Sequence, residues 1–271
     1  MARTSVEELY GELWADDSAV QAELGRSLDP RETSSLYETF AALDPVAEDF
    51  VVDAGCRDAR HAIELHRRFG CRVLAIDPIV LHVTRARERV ADAGVEDRVE
   101  VAQAAVEALP LPDGAADFVW CRDVLNHVDL PNALAECARV LRPGGRMLVY
   151  QTFASQTLES DEARRLYRAT AIAAENMRAA YLEETARASG FAIASVDPID
   201  SEWRERMIED GAWDPSEDLL AVARARRRET ELVERFGRKR IEAALGDALW
   251  GVYQLLGKLR PTVYVLTRSD A

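Results

Sequence analysis

Short apolar segments alternate regularly with amphipathic segments between residues 50 and 153, and this alternation constrains the fold more than any other feature of the chain. The apolar segments predict strands and read DFVVDAG, CRVLAIDP, RVEVAQA, ADFVWCR and GRMLVYQTF. The amphipathic segments near 58–69, 79–93 and 131–141 predict helices between them. Because strands joined through helices run parallel with right-handed crossovers, the pattern predicts a doubly wound α/β sheet.

Helical patterns continue on both sides of this region. Spaced apolar and aromatic positions in residues 1–45 predict two or three short amphipathic helices before Pro45. After the core come two more helical segments, the strand FAIASVDPI, a long helical insertion over 201–257 and the strand PTVYVLTR. We expect the last two strands to pair antiparallel at the far edge of a seven-stranded, mostly parallel sheet, which leaves the inserted helices above the strand ends.

Composition narrows the function classes. The formal net charge of −14 over 271 residues argues against a nucleic-acid partner, which needs a concentrated basic face. The basic cluster at 224–240 is interleaved with glutamates and is interpreted as a solvated helix face, the alternative being an anion-binding patch. The four cysteines lack metal-ligand spacing, so we predict no metal site and free thiols in a reducing cytoplasm. No apolar run approaches the length of a membrane span, and the N-terminus lacks a signal-peptide core.

One loop carries the main functional signal. In VVDAGCRDARHAIEL, the first strand ends in Asp53, the chain turns at Gly55, and a helix follows at once. This order places backbone N–H groups and a helix N-terminus at the carboxyl end of the strand, where open α/β sheets bind ligands. The second strand ends in Asp77, about 22 residues beyond Gly55, where a carboxylate accepts hydrogen bonds from ribose hydroxyls. Together these residues predict a nucleoside cofactor site.

Residues 50–153 resemble the class I S-adenosylmethionine-dependent methyltransferases. The matching segments, in order, are VVDAGC, AIDP, VEALPLPDGAADFVWCRDVLNHV and ALAECARVLRPGGRMLVY. The last is the most specific, because Pro143 is expected to end a helix while Gly144 and Gly145 permit tight entry into the next strand. The resemblance implies the Rossmann-like methyltransferase fold with a helical cap, S-adenosylmethionine as cofactor, and methyl transfer to a small natural-product or lipid-like acceptor.

The resemblance also implies a division of the chain and a set of site residues. The expected parts are an N-terminal helical lid (1–45), the cofactor-binding core (46–200), a helical insertion that caps the substrate (201–257) and the final strand (258–271). The cofactor-binding residues are expected to be Asp53, Ala54, Gly55, Cys56, Arg57, His61, Asp77, Pro78, Ala105, Val106 and Arg122. His61 is alternatively a residue that supports the loop. The oligomeric state stays open, a homodimer included.

The chain departs from the family pattern at three places. Arg57 and Ala59 stand where the turn usually has glycine, and Ala105 stands where an acid usually binds the adenine amino group. We hypothesise that the Arg57 guanidinium pairs with the carboxylate of the cofactor's methionine moiety; the alternative is that it points to solvent or pairs with Asp58. Backbone groups of Val106 remain available to the adenine ring.

Catalytic and acceptor-binding candidates follow from position. His127 and Asp123 come after the fourth strand, and histidine is the side chain that most often acts as a general base. The alternatives are that His127 packs over the cofactor and that Asp123 caps the following helix. Aromatic residues are candidates for the acceptor wall or, equally, for the core, and these are Tyr10, Trp14, Tyr37 and Trp203.

Two rival functions were compared with methyl transfer. A short-chain oxidoreductase is disfavoured because no tyrosine has a lysine four residues further on. A non-methylating enzyme such as a cyclase, or a catalytically inactive scaffold, remains open because Arg57 and Ala105 are changes that such a protein would tolerate.

Overall fold

The computed structural model describes residues 4–13 and 17–269, and its centre is a seven-stranded sheet. The strands are β1 (Phe50–Ala54), β2 (Arg72–Asp77), β3 (Val99–Gln103), β4 (Ala116–Arg122), β5 (Leu141–Ala154), β6 (Phe191–Pro198) and β7 (Leu259–Arg268). They lie in the order β3-β2-β1-β4-β5-β7-β6. β7 runs antiparallel to β5 and β6, and the other neighbours pair in parallel. The predicted mostly parallel, doubly wound sheet is therefore confirmed, as is the antiparallel pair at its edge.

Helices cover both faces of the sheet and extend beyond its edge. In the described residues they are α1 (Val6–Glu8), α2 (Ser18–Leu24), α3 (Ser35–Ala41), α4 (Arg60–Phe69), α5 (Val80–Ala93), α6 (Leu130–Val140), α7 (Ser160–Thr170), α8 (Ala179–Ala188), α9 (Glu202–Glu209), α10 (Pro215–Arg227), α11 (Glu229–Phe236) and α12 (Arg238–Leu255). A π-helical turn continues α1, and short 3₁₀ turns precede α6 and α8. None of these helices has the length and apolar character needed to cross a membrane.

The core consists of two apolar layers, one on each face of the sheet. Successive side chains of a strand point to opposite faces, so Val52 joins the layer covered by α6 and α8, while Val51 joins the layer covered by α3, α4 and α5. β1 and β2 are almost continuously buried, as expected for parallel strands covered on both sides. This packing fixes the strand ends that form the site.

The N-terminal segment divides into two parts with different packing. α3 is part of the core: Leu36, Tyr37 and Phe40 are buried, and the Tyr37 ring stacks on Trp120 of β4 at 5.2 Å between centroids. By contrast, α1 and α2 contain no buried residue. An amphipathic pattern cannot distinguish a helix docked in the core from a helix that closes over a cleft, so the sequence treated these two parts as one lid.

The insertion consists of four helices, α9 to α12, and its first helix contacts the N-terminal segment. The Trp203 indole Nε1 donates a hydrogen bond to the Ser35 hydroxyl at 3.1 Å. The Arg31 guanidinium pairs with Glu202 at 2.8 Å and with Asp197 at 2.6 Å. Two segments that are far apart in sequence are therefore joined beside the carboxyl ends of the strands.

The segment from Arg142 to Gly145 differs from its predicted role. α6 already ends at Val140, so Pro143 does not end this helix; it lies three residues further on, within the span of β5. There the register shifts between Ala116 and Phe118 of β4, which marks a bulge and so accommodates a proline. A Cβ on Gly145 would approach the Arg142 carbonyl oxygen to 2.8 Å, which explains the glycine.

The basic cluster at 224–240 spans parts of α10, α11 and α12. Arg228 pairs with Glu231, and Arg238 pairs with Glu229, with all four side chains largely exposed. These ion pairs agree with the interpretation of the cluster as solvated helix faces.

Candidate active site

A cleft of about 1490 Å³ lies at the carboxyl ends of β1, β2 and β4. The strand order reverses at β1: β2 and β3 lie on one side of it, and β4 and the later strands lie on the other. Open α/β sheets form ligand crevices at such a switch point. The predicted cofactor-binding residues that line this cleft are Asp53, Gly55, Cys56, Arg57, His61, Asp77, Pro78, Ala105 and Arg122. Ala54 and Val106 are buried beside it in the core.

The loop after β1 keeps the backbone of a glycine-rich turn although two of its glycines are replaced. Gly55, Arg57 and Ala59 have φ values of 78°, 52° and 58°. All three lie in the left-handed region, which glycine adopts without strain and which L-residues adopt at a cost. Gly55 is further constrained, because a Cβ there would lie 2.2 Å from the Val124 Cγ2 atom.

Asp53 is a buried carboxyl group with incomplete hydrogen bonding. The residue is 2 % exposed, and its Oδ2 atom has no partner among the described residues. Burial raises the pKa of Asp53 to about 7, while a hydrogen bond from the Ala62 backbone opposes this rise. Burial also raises the pKa of the neighbouring Cys56 thiol, so Cys56 is an unreactive wall residue.

The Asp77 carboxylate already accepts three hydrogen bonds from the chain. Its Oδ2 accepts from the Arg57 backbone N–H at 3.0 Å. Its Oδ1 accepts from the Ile79 N–H at 2.9 Å and contacts His82 Nδ1 at 3.1 Å. A carboxylate offers about four acceptor positions, so one remains on Oδ2, and a second becomes free if His82 moves away.

His61 connects the N-terminal region to β4. Its Nδ1 lies 2.6 Å from the Tyr37 hydroxyl, and its Nε2 accepts a hydrogen bond from Arg122 at 2.7 Å. Because arginine only donates, Nε2 must be unprotonated and Nδ1 carries the proton. Burial and the Arg122 charge lower the pKa of His61 to about 3, so the ring stays neutral. This arrangement favours the loop-supporting role, while His61 also lines the cleft.

Arg57 extends toward the cleft without an ion-pair partner. Asp58, its predicted alternative partner, pairs instead with Arg89 at 2.9 Å. In the part of the chain that the structure describes, the Arg57 guanidinium makes no hydrogen bond or ion pair. Its charge therefore remains available to an anion at this loop.

A second cleft of about 720 Å³ adjoins the first, and residues from β4, β5, α9 and α12 contribute to its lining. The two clefts share Arg57, Arg60, Arg122, Asp123 and His127. Its aromatic lining residues are Tyr150, Trp203 and Trp250. The Tyr150 and Trp203 rings stack at 4.6 Å with an interplanar angle of 6°. Asn126 also lines this cleft and is 1 % exposed, and its Oδ1 has no partner in the described residues.

His127 and Asp123 lie where the clefts meet. His127 is exposed, and its Nδ1 donates to the Ala171 carbonyl at 3.1 Å, which leaves Nε2 unprotonated in the neutral ring. Asp123 does not cap the next helix, because its carboxyl group instead accepts a hydrogen bond from the Thr152 hydroxyl at 3.3 Å. Burial raises the pKa of Asp123. His127 thus has the free nitrogen that a proton acceptor needs, and Asp123 is the weaker candidate.

The predicted acceptor-wall residues lie in different places. Trp203 lines the second cleft, but it is only 5 % exposed and packs in the same core layer as Tyr37, so its role in the acceptor wall stays a prediction. Tyr37 belongs to the core layer, where it bonds to His61. Tyr10 is 62 % exposed, away from both clefts, and Trp14 lies outside the described residues.

Sequence reasoning missed three residues that line the clefts. His82 lies in the first turn of α5, only five residues after Asp77. This closeness in sequence to a predicted site residue could have identified His82 as a cleft residue. Tyr150 and Arg204 reach the second cleft only through the packing of β5 and α9, and no local pattern identifies them. Among the described residues, no group of His, Cys, Asp and Glu is arranged to hold a metal ion.

Comparison with known proteins identifies the central region. Residues 52–149 match a family model described as a methyltransferase domain. The chain is 34% identical over 143 residues to 27-O-demethylrifamycin SV methyltransferase of Amycolatopsis mediterranei, a match that covers 52% of this chain and 50% of the relative. It is 35% identical over 153 residues to methyltransferase GfsG of Streptomyces halstedii, covering 55% and 52%. The matched region thus spans about half the length of these relatives.

Solved structures share the fold over most of the chain. The [4+2]-cyclase SpnF superposes with a TM-score of 0.67 at 19% identity, covering 91% of this chain and 86% of that one. The geranyl diphosphate C-methyltransferase of Streptomyces coelicolor superposes with a TM-score of 0.62 at 17% identity, covering 87% and 79%. At these identities the likeness shows the fold alone. The family match identifies residues 52–149 of this chain as a methyltransferase domain.

Proposed function

We propose that this protein is an S-adenosylmethionine-dependent methyltransferase that acts on a small natural-product or lipid-like acceptor in the cytoplasm. The observation that carries the proposal is the pair of adjoining clefts. One has the acidic strand ends and tight loop of a nucleoside site, and the other has an aromatic wall. Methyl transfer needs such a pair, because cofactor and acceptor must meet in line while water is excluded.

The residues of the first cleft fit the cofactor. Asp53 has a buried carboxyl oxygen without a hydrogen-bond partner in the described part of the chain, and a ligand donor would satisfy it. Gly55 keeps the loop tight, because the Val124 side chain packs where a Cβ of residue 55 would lie. Asp77 retains an acceptor position for a ribose hydroxyl. We propose that Arg57 binds the carboxylate of the methionine moiety and that Ala105 and Val106 flank the adenine.

The protein's part in the reaction is positioning, together with proton removal where the acceptor requires it. When bound, S-adenosylmethionine supplies a methyl group that its positively charged sulfur activates. The stacked rings of Tyr150 and Trp203, 4 % and 5 % exposed, form part of the apolar wall beside which an acceptor lies. His127 Nε2 is free to take a proton from a hydroxyl or amine, with the ring held by the Ala171 carbonyl.

We further propose that α1 and α2 act as a lid and that α9 to α12 select the acceptor. The exposed apolar residues of α1 and α2 support the first role, because Val6, Val20 and Leu24 are each more than half exposed. The second role is supported by Trp203, Arg204 and Trp250, which line the second cleft.

A non-methylating enzyme, such as a cyclase, is the second candidate. Arg57 and Ala105 support it, because both departures from the methyltransferase pattern lie on the cofactor cleft. The fold likeness to a cyclase adds no preference, since the geranyl diphosphate methyltransferase superposes nearly as well.

Calorimetry with S-adenosylmethionine and S-adenosylhomocysteine tests the proposal. Asp77→Ala should weaken binding by about 1–3 kcal/mol, the cost of losing a charged hydrogen-bond partner. Asp161→Ala, which changes an exposed carboxylate on α7, is the matched control and should leave the affinity unchanged. Absence of binding at millimolar ligand would end the proposal. Release of S-adenosylhomocysteine during turnover then separates a methyltransferase from a cyclase.

A further inference from the structure

The second cleft contains a concentration of positive charge that the acidic composition of the chain does not suggest. Five arginines line it, and these are Arg57, Arg60, Arg122, Arg204 and Arg206. Arg204 and Arg206 come from α9, so the charge converges from the insertion and from the core. The two whose guanidinium groups lie over aromatic rings are Arg122 and Arg204.

Arg122 and Arg204 are held by neutral groups only. The Arg122 Nη1 donates to the neutral His61 ring, and its guanidinium lies over the Tyr150 and Trp203 rings at 5.4 and 5.6 Å. The Arg204 Nε donates to the Gln254 side chain at 2.7 Å, and its guanidinium lies 5.1 Å from the Trp213 ring. In the described chain, no carboxylate forms an ion pair with either of them. Each keeps several N–H donors unused.

The acidic residues of the same cleft do not neutralise this pair. Asp210 pairs with Arg206 at 2.9 Å, and Asp200 pairs with Arg260 at 2.7 Å. Glu32 and Asp247 are exposed at the rim. Asp123 also lines the cleft; burial raises its pKa, and in the described chain its carboxyl group accepts a hydrogen bond from the Thr152 hydroxyl and forms no ion pair with either arginine.

Two partly buried, like charges without a counter-ion are costly to hold together. Burial lowers the pKa of Arg204; Tyr150, Asp123 and Asp218 oppose this effect, and the Arg122 charge adds a smaller contribution to it. An anion placed between them would relieve the repulsion and take up the free N–H donors, in a cleft where low polarity strengthens the contact. Arginine forks match carboxylate and phosphate groups with two parallel hydrogen bonds.

We propose that Arg122 and Arg204 bind an oxyanion group, a carboxylate or a phosphate, on the molecule that occupies the second cleft. This proposal rests on the proposed function and narrows the acceptor to an anionic small molecule with an apolar or aromatic body. The arginine pair holds the anion against α9, and the body of the molecule packs on Tyr150 and Trp203. Arg57 remains with the first cleft.

Three small probes that share a phenyl ring test the proposal by calorimetry on the full chain saturated with S-adenosylhomocysteine. They are phenyl phosphate, phenylacetate and the neutral 2-phenylethanol. Both anions, or one of them, should bind at least tenfold more tightly than the alcohol and lose affinity as salt rises. The anion that binds more tightly identifies the group as phosphate or carboxylate. Equal binding of all three probes would overturn the proposal.

Variants on α9 locate the site. Arg204→Gln should weaken binding of the preferred anion about ten- to hundredfold and leave 2-phenylethanol unaffected. Arg206→Gln is the matched control on the same helix, because Asp210 already pairs with this arginine, and it should change binding less than twofold. Equal losses in the two variants would refute the assignment to Arg204.

Two further measurements test the anion site even if Arg204→Gln does not fold or the cofactor product does not bind. Arg204→Lys retains the charge and loses the fork, so it should fold even if the glutamine variant does not and should weaken anion binding several-fold. Unchanged anion binding in this variant would contradict the paired geometry. Binding of S-adenosylhomocysteine is measured first; its absence would refute the proposed function, and the probe titrations without it would still decide the anion site.

Discussion

Arg57→Gly is expected to change the stability of the protein and its affinity for the cofactor in opposite directions. Arg57 has a φ of 52°, where a non-glycine residue is strained by about 1–2 kcal/mol. Glycine removes this strain but loses about 0.5–1 kcal/mol through the greater freedom of the unfolded chain. Because the Arg57 side chain is exposed and loses no burial, the net result should be a gain of about 0.5–1 kcal/mol in the free energy of unfolding.

Ala59→Gly shows how far the loss of a buried methyl group offsets the relief of backbone strain. Its φ of 58° gives the same backbone gain, but the Ala59 methyl group is fully buried. Losing that methyl costs about 0.8 kcal/mol, so the net change should be near zero. Ala171→Gly, at an exposed residue with a φ of 56°, is the control and should match the gain of Arg57→Gly. Urea denaturation without ligand measures all three variants.

The affinity for the cofactor should fall in Arg57→Gly, whereas the stability should rise. If the guanidinium holds the methionine carboxylate, its loss weakens binding of S-adenosylhomocysteine by about 1–3 kcal/mol, although the variant restores the glycine usual in the family. Calorimetry measures this directly. Equal or tighter binding would show that Arg57 makes no such contact, and a destabilised Arg57→Gly variant would refute the argument from backbone strain.

Three other predictions follow from the clefts and the N-terminal segment. His82→Ala should tighten binding of S-adenosylhomocysteine severalfold in calorimetry, because it frees an acceptor position on Asp77; weaker binding would instead make His82 a cofactor contact. Burial raises the folded-state pKa of Asp53 to about 7, above its unfolded value near 4, so this group lowers stability as pH rises from about 4 to 7. Asp53→Asn should flatten that part of the melting-temperature profile, and an unchanged profile would contradict the assignment. Removal of residues 1–24 should abolish turnover and preserve the circular dichroism of the sheet, whereas full activity would exclude a lid.

The sequence predicted the sheet and the first cleft because their signals are local. A parallel strand buried on both faces is a run of apolar residues, and Asp53 and Asp77 are found simply where two such runs end. Parallel strands then bring these two ends to one edge of the sheet. No knowledge of side-chain packing was needed for either step.

The second cleft was not predictable in the same way. Arg122 and Arg204 are 82 positions apart, and they meet only because α9 docks against β5 and α3. The hydrogen bonds that orient the His61 ring likewise come from a tyrosine and an arginine on two other elements. A net charge of −14 also gave little information about this cleft, because it sums the whole chain and does not show that five arginines line one cleft.

The edge of the sheet has a consequence for how such proteins diversify. The insertion leaves the sheet after β6 and returns in β7, and these strands are hydrogen-bonded neighbours, with Pro198 opposite Thr262. Its two ends are therefore fixed side by side, and closing a loop of a different length between them changes the entropy only slightly. Different helices can therefore stand between β6 and β7 and form a different acceptor pocket over the same cofactor cleft. The register of every strand is preserved in such a change.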